Sequence, residues 1–228
     1  MSRRLTELQK KIVPSKKYPL EEAVALIKQT AKAKFDETVE IHVRLGVDPT
    51  KGEQKVRGTV ALPHGTGKSK KVVVIAKGEK IKEAQTAGAD EAGDADVIEK
   101  ISKGWLDFDV LVCTPDAMKD LTKLAKILGP KGLMPNPKSG TVTFDLARTV
   151  KELKAGRIEF KMDDYAIIHS ILGKASFPEN KLVENARALL DAIAAARPSA
   201  AKGTYVRTVN LASTMGPSVS VVTESASK

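Results

Sequence analysis

Apolar and polar positions alternate strictly over residues 39–47, where Val39, Ile41, Val43, Leu45 and Val47 are interleaved with Glu40, His42, Arg44 and Gly46. A period of two sends successive side chains to opposite faces, so this segment predicts a strand with one buried and one wet face. The same alternation returns over 56–62, 157–162 and 205–211, and marks these four strands as one style of sheet, with one face buried and one wet. The middle of the chain is patterned differently. Residues 72–76 (VVVIA) and 110–113 (VLVC) are unbroken apolar runs, as expected of strands covered by helices on both faces. Helical patterns over 80–87, 95–103, 116–128 and 145–155 each stop at a glycine, namely Gly88, Gly104, Gly129 and Gly156, the usual helix stop. Elsewhere, Pro19 opens a helix with Glu21 and Glu22 in its first turn and an apolar face of Leu20, Ala23, Val24 and Ile27. Residues 177–198 predict a covering helix with Pro178 near its start and an inward face of Leu182, Val183, Ala186, Leu189, Leu190 and Ile193.

Because the pattern changes style twice, one domain interrupts another. The expected fold class is α/β with two domains: a discontinuous α+β domain at 1–67 and 157–228, and an inserted Rossmann-like parallel α/β domain at 68–156. The two connections are expected side by side as a hinge made of Gly65, Gly67, Lys68 and Gly156, since glycine absorbs φ/ψ changes without a Cβ clash.

Composition narrows the function. The chain has 228 residues and a formal net charge of +10, which favours nucleic acid or an anionic surface as partner. Its segments 1–66, 67–156 and 157–228 carry +5, +3 and +2, so no single block of charge marks the contact. The only cysteine, Cys113, lies in an apolar run and reads as a reduced, buried strand residue rather than a nucleophile. The N-terminal stretch has no apolar h-region and no run approaches a membrane span, which predicts a soluble, unexported protein.

Chemistry-bearing motifs are sparse. Gly65-Thr66-Gly67-Lys68-Ser69 looks like the end of a phosphate-cradling loop, but the glycine required six residues before the lysine is Leu62, and a strand rather than a helix follows. No dinucleotide fingerprint follows 72–76. His42, His64 and His169 lack metal-ligand spacing, so no metal, cofactor or catalytic residue is expected. Gly129-Pro130-Lys131-Gly132 matches the GXXG loop of KH domains and opens a long loop, 129–140, in which Lys131 and Lys138 are candidate contacts or simply part of a flexible segment. The rival classes are a nucleotide-dependent enzyme, opposed by Leu62 and the element order, and a two-domain receptor for a small ligand, which the charge does not favour.

Three stretches mix residue types suited to RNA, which is read through 2′-hydroxyls, phosphates and the shallow minor groove. Residues 32–38 place Phe35 among Lys32 and Lys34 ahead of Thr38, residues 173–177 offer Lys174 and Ser176, and residues 212–218 form a turn with Ser213, Thr214, Met215 and Gly216. Each read alone fits a cap or an ordinary connection better. Six stretches in register, AKFDETVE at 33–40, LPHGTGK at 62–68, GPKGLMPNPKSGTV at 129–142, GKASF at 173–177, KGTYVR at 202–207 and STMGPS at 213–218, together resemble the bacterial large-subunit ribosomal protein L-one family, the stalk proteins beside the tRNA exit site. The resemblance runs from about Tyr18 to Ser220. It implies a discontinuous domain that clamps large-subunit rRNA, an inserted domain that swings about paired linkers, help in releasing deacylated exit-site tRNA, and repression of the protein's own operon mRNA. It also implies a cytoplasmic protein, monomeric when free, that works within the large ribosomal subunit. Carried over by motif, the RNA contacts fall on Lys34, Phe35, Thr38, Lys174, Ser176, Lys202, Thr204, Ser213, Thr214, Met215 and Gly216. Where relatives carry Asn-Asp-Lys followed by glycine, this chain has Met162-Asp163-Asp164-Tyr165-Ala166, with one positive charge and the flexible residue missing.

Overall fold

The computed structural model describes residues 3–13 and 15–222, the side chains of Arg3 and Lys138 excepted, so the candidate contact at Lys138 lies outside the described residues. The chain divides into two units, residues 1–67 with 159–228 and residues 68–158.

In the first unit the alternation of 39–47 becomes strand β1 (Thr38–Leu45), whose Val39, Ile41, Val43 and Leu45 are buried. It is the second strand of a four-stranded antiparallel sheet in the order β7-β1-β8-β9, with β7 at Ile167–Lys174, β8 at Val206–Ser213 and β9 at Val219–Val221. Helices α2 (Leu20–Thr30) and α8 (Glu179–Ala195) pack on the sheet through Ala23, Val24, Ile27, Leu182, Ala186, Leu189 and Ile193. Burying those side chains together is the main driving force for this layer. A short α1 (Arg3–Gln9) precedes them.

The four alternating segments, alike in style, are divided between two sheets. Strands β2 (Arg57–Ala61) and β6 (Arg157–Lys161) pair with each other as a separate two-stranded sheet. Phe160 packs its ring against Gly58, where a Cβ would meet the ring at 2.7 Å. Strand β2 in turn packs against α8.

Strand β7 escapes the alternation rule for a physical reason. Val39 faces Gly173 but Glu40 faces Ile171, so β7 carries one extra residue, a bulge. Ile168 and Leu172 face inward and Ile171 outward, but at the bulge the consecutive Leu172 and Gly173 are both buried, and Ser170 on the inward face with Ile167 and Ile171 on the other hides the period of two in the sequence.

In the second unit β3 (Val72–Ile75), β4 (Glu91–Gly93) and β5 (Val110–Cys113) form a parallel sheet in the order β4-β3-β5. Every residue of β3 is buried. Val73, Ile75, Leu111 and Cys113 pack on one face with α4 (Ala95–Ser102). Val72, Val74 and Val112 pack on the other with α3 (Glu79–Thr86) and α7 (Leu146–Ala155). The two-sided burial explains the unbroken apolar runs. The helix expected over 116–128 is broken into α5 (Met118–Leu121), a 3-10 turn (Thr122–Leu124) and α6 (Ala125–Leu128). The Thr122 hydroxyl donates to the Met118 carbonyl at 2.9 Å, a back-bond that bends helices.

Candidate nucleic-acid interface

The bulge sets up one end of the four-stranded sheet. By shifting the register it brings Lys174, the last residue of β7, opposite Thr38, the first of β1, while Ser213 at the end of β8 lies opposite Val39 on the other side. Lys174 Nζ donates to Thr38 Oγ1 at 3.0 Å. Thr214 is tied to the same residue: its Oγ1 accepts from the Thr38 N–H at 2.9 Å, and its own N–H donates to the Thr38 carbonyl at 3.0 Å.

Two acids that sequence reasoning passed over hold the flanking loops. Glu37 is buried; its Oε1 accepts from the Ala33 N–H at 2.8 Å and its Oε2 from the Met215 N–H at 3.0 Å. Burial pushes this carboxyl up, but the Ala33 and Met215 N–H groups, aided by Ser213 and the Arg4 charge, outweigh it and hold the carboxyl below its ordinary value. Asp36 accepts from the Ser176 N–H at 3.1 Å and from the Ser176 hydroxyl at 2.8 Å. Ser176 is thus bound across to the β1 approach rather than capping α8, whose N-cap Pro178 receives no side-chain bond. Arg4 donates to the Met215 carbonyl at 3.0 Å. The signal available in the sequence was two acids beside basic residues in a binding candidate, Asp36-Glu37 after Lys34-Phe35, where a polyanion site has no direct use for them.

With their backbones fixed, the apolar side chains remain outside. Phe35 is 55% and Met215 50% exposed, and Lys34, Ser176 and Thr214 are exposed beside them. Ser213 is buried, and its hydroxyl makes no hydrogen bond of normal geometry. A Cβ on Gly216 would fall onto that hydroxyl oxygen, so the turn needs glycine there for close approach rather than for an unusual φ. One end of one sheet therefore offers an aromatic ring, a thioether side chain, hydroxyls and ammonium groups.

Lys202 and Thr204 do not join this cluster. Both are exposed and precede β8 at its opposite end, where the Gly46 N–H donates to the Tyr205 carbonyl. The eight residues of β1 separate the two places by roughly 23 Å at the usual rise of a strand. There Lys202 lines an open cleft of about 620 Å³ together with Asp48, Lys51, Glu53 and Arg207, a wall of mixed sign.

The glycine-rich turn at 62–68 is braced from α8. Asn185, fully buried, accepts from the His64 N–H at 3.1 Å and donates to the Gly65 carbonyl at 3.0 Å and the Leu172 carbonyl at 2.7 Å. Gly65 and Gly67 have φ of 64° and 75°, and Gly156 closes α7 at 108°, conformations that favour glycine. Lys68 Nζ pairs with Asp109 at 2.7 Å and the chain continues into β3, so no helix N-terminus follows to receive a phosphate. Burial lowers the pKa of Lys70, whose Nζ donates to the Arg157 carbonyl at 2.8 Å.

The remaining candidates take structural places. Lys131 is exposed, but the 129–140 loop is not loose: Ser139 and Thr141 hydroxyls bond to Asn136, Arg157 reaches the Ser139 carbonyl, and Leu133 and Met134 pack on the core. In the 162–166 turn Asp163 accepts from the Tyr165 and Ile167 N–H groups, and Ala166 adopts φ 60°. His42 and His169, distant in sequence, meet across β1 and β7 with Nδ1 atoms 2.8 Å apart. Burial pushes the Cys113 thiol up to about 11, which keeps it protonated and unreactive. Among the described residues no group of three or more His, Cys, Asp or Glu is placed to hold a metal, and no helix is long and apolar enough to cross a membrane. Residues 27–217 match the model of the family described as Ribosomal protein L1p/L10e, a span that takes in both units and every candidate contact above.

Proposed function

Because the chain belongs to the ribosomal protein L1p/L10e family, a non-catalytic RNA-binding family, we propose that it is the bacterial-type member, a large-subunit protein that grips the stalk region of large-subunit rRNA next to the tRNA exit site. The observation that carries this reading is the gathering of Phe35, Thr38, Lys174, Ser176, Thr214 and Met215 at one end of the β7-β1-β8 sheet. Hydroxyls suit 2′-hydroxyls, ammonium groups suit phosphates, and exposed Phe35 and Met215 suit the faces of riboses in a shallow minor groove. Lys202 and Thr204 then form a second contact point, engaged by an RNA that runs along the sheet.

In this reading the RNA-binding domain is 1–67 with 157–228, and the inserted domain, 68–156, swings on Gly65, Gly67, Lys68 and Gly156 to help deacylated tRNA leave. The same RNA surface takes an operon mRNA site shaped like the rRNA, so the protein represses its own synthesis. It is cytoplasmic and monomeric when free.

Co-sedimentation with large ribosomal subunits in moderate salt tests the first claim, and filter binding to the isolated stalk rRNA tests the second. The operon mRNA site is expected to compete for the same surface. Absence from large subunits, or equal affinity for stalk rRNA and a scrambled duplex, would sink the proposal.

A further inference from the structure

We propose that Glu37 is a positioning residue for RNA recognition: its buried carboxylate, set in a surface meant for a polyanion, holds the 213–216 turn in the shape that RNA meets. This rests on the RNA-binding reading above. A carboxylate near phosphates costs Coulomb energy, so an acid at this place requires a compensating role. The hydrogen bonds supply one. Glu37 connects two loops that come from distant parts of the chain, Ala33 on one side and Met215, 178 residues on, on the other. With the N–H of Met215 taken by Glu37 and its carbonyl by Arg4, the backbone of Met215 is fixed at both ends and only its side chain is left to the ligand.

The neighbouring acid provides an internal control, because the two carboxylates have partners of different kinds. The two groups that hydrogen-bond to Glu37 with normal geometry are backbone N–H groups, which only donate. A glutamine there keeps one acceptor and turns an NH₂ toward the other N–H, so one bond is lost and two donors face each other. Asp36 is bonded to one N–H and one hydroxyl. A hydroxyl both donates and accepts, so asparagine keeps both bonds by rotating the Ser176 O–H. Glu37→Gln and Asp36→Asn make the same change of charge with opposite consequences for loop geometry.

The test measures wild type, Glu37→Gln, Asp36→Asn and Glu37→Asp against stalk rRNA and a scrambled duplex across a salt series. Glu37→Gln is expected to weaken cognate binding about tenfold or more, the scale of a lost bond to a charged acceptor, with the scrambled duplex little changed and the salt slope unaltered, since no phosphate contact is removed. Asp36→Asn is expected to bind as well as wild type or up to a few-fold tighter. Glu37→Asp keeps the charge but shortens the reach by one methylene, and is expected to lose cognate affinity too. That variant keeps the proposal open to refutation should Glu37→Gln fail to fold. Cognate binding by Glu37→Gln at or above the wild-type level, or wild-type affinity in Glu37→Asp, overturns the role of Glu37 alone. Failure of the wild type to prefer stalk rRNA overturns the RNA reading and this proposal with it.

Discussion

Lys174 bonds to Thr38 directly and Met215 follows Thr214, which does so too, yet Lys174 and Met215 are suited to different kinds of work. The Met215 side chain is half exposed above a fixed backbone; covering it with a ribose removes apolar surface from water. Met215→Ala is therefore expected to cost roughly 1–3 kcal/mol of cognate affinity without moving the salt dependence. Lys174→Ala is expected to flatten the slope of log affinity against log salt by about 0.7–0.9, the share of one phosphate contact, and to weaken cognate and scrambled RNA alike. Equal slopes for the two variants would contradict the division of labour. Thr214→Val is a poorer probe, because the Thr214 hydroxyl also accepts from the Thr38 N–H, so its loss disturbs the sheet end as well as the ligand. At this scale the hydroxyls, Phe35 and Met215 were legible from residue type and from the resemblance. Glu37 and Asp36 were not, since their value lies in N–H and O–H groups that only the folded chain brings to them, up to 178 residues away.

Among the elements, α8 shows how a covering helix also acts as a brace. Its inward apolar face was readable from the helical period, but Asn185 sits on that face, fully buried, and satisfies three backbone groups of the 62–68 turn and β7. Asn185→Leu keeps the volume and strands those groups, which predicts a loss of about 3 kcal/mol or more at a cost of roughly 1–3 per orphaned group. Urea unfolding of the full chain measures it, and a loss under 1 kcal/mol would show that water replaces the amide. Strands β1, β3, β5 and β8 were plain in the sequence because burial on one face or two leaves its own period. Strand β7 was hidden by Ser170 on its inward face, isoleucines on its outward face and a bulge near its end, and β4 and β9 by their three-residue length. The division of the alternating segments between two sheets was hidden because alternation reports a wet face without naming the partner strand.

For the whole molecule, the discontinuous architecture was legible because the strand pattern changes style twice, and the chain passes between units at 67–68 and 158–159. Each unit has its own core. Removing residues 68–156 and joining the ends with a short Gly/Ser linker is expected to leave a folded module that binds stalk rRNA within a few-fold of the full chain, as read by circular dichroism and filter binding. A module that folds but fails to bind would shift the recognition surface toward the inserted unit. The order of the strands along the chain has a further consequence, for timing during synthesis. Thr38 finds its partners Lys174 and Thr214 only 136 and 176 residues later, with the entire parallel sheet made in between. At 5–20 residues per second, β1 waits on the order of 10 s for the strands that complete it, while the inserted unit already has all its strands and helices. The RNA-binding end of the sheet is thus among the last parts of the nascent chain to be completed: until β8 and the turn after it are made, a growing copy has Thr38 and Lys174 but neither Thr214 nor Met215 to set beside them.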